Sequence, residues 1–123
     1  MATTKQIPRA EWKTYFERYT RQHLMDDGGD VRESAYVEVM SPELGDQVEA
    51  TLVPLLGMTY DPKSNAFELA LEDLDHLLFR PTQISVIEEG DGFISALEVT
   101  RADGIKEIVR LARSASPELR PAP

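Results

Sequence analysis

The stretch "AYVEVM", residues 35–40, decides the fold, because the spacing of apolar side chains changes there. Ala35, Val37 and Val39 alternate with Tyr36, Glu38 and Met40, the period of two that sends successive side chains to opposite faces of a β-strand. Ahead of it the period is 3.6. In "IPRAEWKTYFERYTRQHL", residues 7–24, the side chains of Trp12, Tyr15, Phe16, Tyr19 and His23 fall at i, i+3, i+4, i+7 and i+11. That spacing lines one face of a helix and predicts four rings packed on a sheet, with Lys13, Glu17, Arg18 and Arg21 on the wet side. Pro8 suits the first turn, where its missing N–H is no loss, and Glu11 complements the positive end of the helix dipole. "DDGGD", residues 26–30, ends the helix near Met25 with glycines that break the pattern.

Downstream the period of two persists. "SPELGD" turns the chain into "QVEATLVPLLGMTY", residues 47–60, where Pro54 cannot donate to a ladder and Gly57 favours a bend, so a bulge or an edge position is expected. After the turn residues "DPKSN" come "AFELALE", "QISVIEE", "FISALEVT" and "IKEIVRLA", the last three joined by the hairpin-type loops "GDG" and "RADG". The fold class expected is therefore α+β: an N-terminal amphipathic helix on an antiparallel, strongly curved meander sheet of about six strands. One short helical turn near residues 73–79 interrupts the strands. A globular domain over residues 1–113 precedes a flexible tail over 114–123, which carries three prolines in "SPELRPAP".

Composition narrows the function. The 123 residues contain no cysteine, which excludes disulfides, thiolate metal sites and cysteine nucleophiles. Net charge is −9, concentrated in the middle: residues 26–100 hold three Lys and Arg against seventeen Asp and Glu. Phosphate backbones and anionic membranes are bound by clustered cations, so neither nucleic acid nor membrane is an expected partner. No apolar run is long enough for a signal or a transmembrane helix, and the expected location is cytoplasmic.

Chemistry-bearing residues concentrate in "LDHLLFRP", residues 74–81, which follows Glu72 and Asp73. Read as a connector, Asp73 caps one helical turn, Leu74, Leu77 and Leu78 share its buried face, and Arg80-Pro81 stops it. His76 and Asp75 then point away from the leucines. Read as chemistry, His76 is a general base or ligand, with Glu72 at i−4 on the same helical face. A lone pair of that spacing does not make a metal site, so no metal and no cofactor are expected. "EEGDG", residues 88–92, lacks the register of a calcium loop and reads as a hairpin tip. Neither nucleotide-binding nor hydrolase motifs occur.

The order of segments is familiar. Leu44-Gly45-Asp46-Gln47, Pro54-Leu55-Leu56-Gly57, Tyr60-Asp61-Pro62 and Leu74-Asp75-His76-Leu77 resemble the pattern of a family of short uncharacterised bacterial proteins catalogued as a domain of unknown function. The resemblance covers nearly the whole chain; it implies a bacterial cytosolic protein and carries no catalytic residues with it.

The preferred expectation is a non-enzymatic binding or regulatory module that meets a protein partner, or a second copy of itself, through an edge strand or the acidic face. The alternative is a small-ligand-binding protein or small enzyme with a pocket near His76, to which folding brings Asp75, Glu72 or Tyr60.

Overall fold

The computed structural model describes residues 2–24, 33–41, 45–72 and 75–113. The expected helix end at Met25 and the 114–123 tail lie outside them. Eight strands are present: β1 (Thr3–Ile7), β2 (Glu33–Ser41), β3 (Gly45–Asp61), β4 (Ala66–Leu71), β5 (Asp75–Phe79), β6 (Pro81–Glu88), β7 (Ile94–Arg101) and β8 (Lys106–Arg113). Between β1 and β2 runs α1 (Trp12–Tyr19), entered through a 3₁₀ turn at Arg9–Glu11 and continued by a wider π turn at Thr20–Leu24. Every strand pairing is antiparallel, in the order β1-β6-β7-β8-β2-β3-β4-β5. The α+β class and the antiparallel sheet follow the sequence reading; the strand count does not, because β1 and β5 add to the six expected.

The curvature follows from connectivity. β5 and β6 lie six strand positions apart in the sheet, yet Arg80 is the one residue between them. On a flat sheet that separation is roughly 29 Å at about 4.8 Å per strand, whereas Phe79 and Pro81 are joined by two peptide units that reach about 7 Å. The sheet therefore curls until its ends approach, and Arg80 makes the corner with a positive φ of 54°. Ala102 N donates to Arg80 O at 2.9 Å, pinning that corner to the end of β7. β1 pairs only with β6 and β5 only with β4, so the curl is not a closed barrel.

The helix fills the concave side. Trp12, Tyr15, Phe16 and Tyr19 are buried as their spacing predicts. Phe16 meets Phe67 of β4 edge-on at 4.8 Å between centroids, and Trp12 meets Tyr60 of β3 at 5.0 Å. Trp12 Nε1 donates to Ile7 O at 2.8 Å, which ties the helix to the end of β1. Tyr19 Oη accepts from the backbone of Ile94 at 3.0 Å, so the C-terminal half of the helix holds the start of β7.

β3 is where the sequence expectation needs correction. A bulge does occur between Leu55 and Gly57, but Pro54 sits inside the sheet opposite Ser34 of β2, not on an edge strand. Among the described residues, β2 pairs with β3 from Gly45 to Leu55. Further along β3 the Thr20 hydroxyl accepts from Met58 N and donates to Met58 O, both at 3.0 Å. A helix side chain thus satisfies both backbone groups of Met58.

Candidate functional site

The residues 75–79 are a strand, which corrects the helical turn expected near residues 73–79. Asp75–Phe79 pairs with Ala66–Ala70 in unbroken register. A lone turn of helix forms one or two hydrogen bonds against a costly nucleus, whereas the same backbone laid on β4 joins an existing ladder. Alternation then sorts the side chains differently from a helix. His76 and Leu78 face inward, while Asp75, Leu77 and Phe79 stand exposed on the outer surface. Of the leucines expected on one face, Leu78 is buried and Leu77 43% exposed, while Leu74 and the expected cap Asp73 lie outside the described residues.

His76 reaches across the interior to β8. Its Nε2 lies 2.6 Å from Glu107 Oε1, and Arg101 Nη1 of β7 lies 3.2 Å from Glu107 Oε2. Glu107 is 1% exposed, in phase with Val109 and Leu111 on the inner face of β8. A carboxylate removed from water to that degree is tolerated when donors satisfy it, and here one donor serves each oxygen. A carboxylate only accepts, so Nε2 is the donor and the tautomer or imidazolium that carries that proton is selected. Arg101 Nη2 continues the chain to Asp103 at 2.8 Å, while its Nε is buried with no hydrogen-bond partner among the described residues. An imidazole aligned by a buried carboxylate is an arrangement that can relay a proton; it is also a tie between β5 and β8.

The other candidates are not gathered around His76. Asp75, its neighbour in sequence, faces outward, diagonal to Glu68 of β4 across the ladder. Glu72 is exposed just past β4, its N–H bonded to Pro54 O at 3.0 Å. Tyr60 is buried near the start of α1, where its hydroxyl donates to Asn65 Oδ1 at 2.6 Å and accepts from Arg9 Nη1 at 3.3 Å. Glu107 and Arg101 were missed by sequence reasoning although a signal existed: each is a charge in the phase of the strand that otherwise carries Val109 and Leu111, or Leu97 and Val99.

The outer surface of β3–β5 carries the second notable feature. Leu56, Leu77 and Phe79 are the large apolar side chains exposed among the described residues, at 41%, 43% and 51%. Beside them the Glu68 carboxyl is held above its ordinary range, first by the hydrogen bond with Asp75, then by partial burial and the charge of Asp75, against a lowering contact from Thr59. Between α1 and the end of β6, Lys5, Tyr15, Arg18, His23, Glu88 and Asp91 help to line a polar cleft of about 250 Å³. There the Tyr15 hydroxyl donates to Glu88, and burial together with that carboxylate pushes its pKa above the ordinary tyrosine value.

Among the described residues, no three His, Asp or Glu side chains form a group that could hold a metal ion, and no helix is long and apolar enough to cross a membrane. A family model described as a family of unknown function (DUF5335) matches residues 3–119. An "Uncharacterized protein" of Aquifex aeolicus (strain VF5) is 38% identical over 109 residues, covering 88% of this chain and 91% of that protein. No solved structure matches.

Proposed function

The chain belongs to DUF5335, a family of unknown function, and we propose that it is a non-enzymatic contact module that meets a protein partner through the outer face of β3–β5. The carrying observation is that Leu77 and Phe79 are exposed side by side on the strand that ends the sheet. Scattered surface apolar residues are ordinary, but two large ones two positions apart on one face of a terminal strand form a patch whose burial would drive association. Terminal strands are commonly defended by charge at such positions. Here the outward positions hold Asp75 at one end of the strand and then Leu77 and Phe79.

The test compares the protein with its Leu77→Ser/Phe79→Ser variant by light scattering and by capture of partners from an extract of its source cells. Loss of a captured partner or of a dimer in a variant with unchanged circular dichroism supports the reading. A monomer whose captured proteins are the same with and without the two substitutions refutes it.

A second reading is favoured by the 2.6 Å contact between His76 and Glu107: a small-ligand site or small enzyme in which His76 transfers a proton. Thermal-shift screening against metabolites separates the two, because a ligand bound only by the folded state raises the midpoint by mass action. A hit abolished by His76→Ala supports this second reading, and a hit indifferent to that substitution counts against it.

A further inference from the structure

Building on the contact-module reading, we infer that the occupant of the β3–β5 outer face is a basic segment of another protein, with Lys or Arg interleaved among large apolar side chains. The strand register arranges that face in three cross-strand rows: Asp75–Ala70–Gly57, Leu77–Glu68–Thr59 and Phe79–Ala66–Asp61. The middle strand places Ala66, which is buried, and half-buried Ala70 on either side of Glu68, while Leu77 and Phe79 stand exposed on β5. The result is a low strip with an apolar wall on one side and a carboxylate in its floor. It suits a chain that can lay apolar groups against Leu77 and Phe79 and direct a cation at Glu68.

The charge pattern selects the sign of that occupant. Residues 55–79 contain one Lys against five Asp and Glu. Glu68 and Asp75 are diagonal neighbours on this face, and no Lys, Arg or His makes an ion pair with either among the described residues. Two like charges placed together repel, and a single incoming ammonium or guanidinium relieves the repulsion while pairing with both. A second copy of this chain brings the same acidic face and a net charge of −9, so self-association through this surface opposes like charges. Opposite charge with apolar anchors is the complementary surface.

Fluorescence anisotropy with three short labelled peptides tests this: alternating Lys and Leu, alternating Glu and Leu, and alternating Lys and Ser. The Lys/Leu peptide is expected to bind saturably. Its affinity should fall about tenfold or more on raising salt from about 50 to about 500 mM, and by a similar factor in Leu77→Ser/Phe79→Ser and in Glu68→Gln/Asp75→Asn. The other two peptides should bind more weakly still. All the substituted side chains lie on the outer face, and circular dichroism verifies that the variants remain folded. No saturable binding of the Lys/Leu peptide, or equal affinity for both variants, overturns the inference. If the Glu/Leu peptide binds equally well and both are lost in Leu77→Ser/Phe79→Ser, the contact surface stands and its preference for a cation falls. A dimer dependent on Leu77 and Phe79, without peptide binding, likewise leaves the contact reading in place with a second copy as occupant. A monomer that binds none of the peptides and captures no partner through these residues refutes both.

Discussion

The hydroxyl of Thr20 closes a ring with the backbone of Met58, accepting from its N–H and donating to its carbonyl, each at 3.0 Å. Thr20 thereby ties the helix to the backbone of β3. Thr20→Val keeps the shape and removes both bonds, leaving a paired donor and acceptor unsatisfied beside the core. The expected cost is about 1–3 kcal/mol, the penalty for orphaning buried polar groups, read as a lower urea midpoint with an unchanged slope. An unaltered midpoint would show that water replaces the hydroxyl and that this tie adds no stability.

Trp12 joins three elements: its ring meets Tyr60 of β3, its Nε1 holds Ile7 at the end of β1, and the Arg9 guanidinium lies over its face at 4.6 Å. Trp12→Ala opens a cavity and frees the Ile7 carbonyl. A loss of about 3–5 kcal/mol is expected, while Trp12→Phe, which keeps most of the volume but not the donor, should lose less. Equal losses for the two substitutions would place the energy in the indole N–H and not in packing.

How far the sequence discloses this fold depends on whether a segment has two unlike faces. The helix does, and its rings are buried where their spacing puts them. β4 does, with Phe67, Leu69 and Leu71 buried on one side. β1 does not: Thr3 to Gln6 are exposed on both sides and only Ile7 is buried, so no period marks it. β5 fails for the opposite reason, carrying apolar groups on both faces, and a five-residue segment with the apolar run Leu77–Phe79 reads equally well as a turn of helix. Its pairing with β4 decides the matter, and pairing is not local. The same holds for the candidate site. Glu107 announces itself by falling in phase with Val109 and Leu111, but its partner His76 is set by the curl of the sheet, which no local pattern encodes.

The His76–Glu107–Arg101 chain spans that curl. Glu107→Ala removes the acceptor from two donors and leaves a guanidinium and an imidazole facing an apolar row, so a loss of about 3–5 kcal/mol is expected, as when one member of a buried ion pair is deleted. His76→Ala should cost less, because Arg101 still neutralises the carboxylate. A double-mutant cycle between the two positions measures the tie itself, and a coupling energy indistinguishable from zero would mean that β5 is held by its ladder with β4 alone. Hydrogen exchange supplies an independent readout: amides of β5 should lose protection in Glu107→Ala before those of β7.

Glu68 offers a prediction whose sign depends on pH. Its folded-state pKa is raised, chiefly through the hydrogen bond with Asp75. A raised pKa means that the contribution to stability is fully present below the unfolded-state carboxylate value and is lost as pH rises through the folded-state value. At neutral pH the ionised pair is therefore a net cost, and Glu68→Gln, which can still donate to Asp75, should raise the melting midpoint. The group is largely exposed and screened, so the gain should be less than about 1 kcal/mol. It should shrink on acidification until, near pH 4, protein and variant melt together, and it should shrink likewise at high salt. A gain of the same size at both pH values, or a lower midpoint for the variant at pH 7, would show that Glu68 is stabilised by its surroundings when charged and that the repulsive pair is not there.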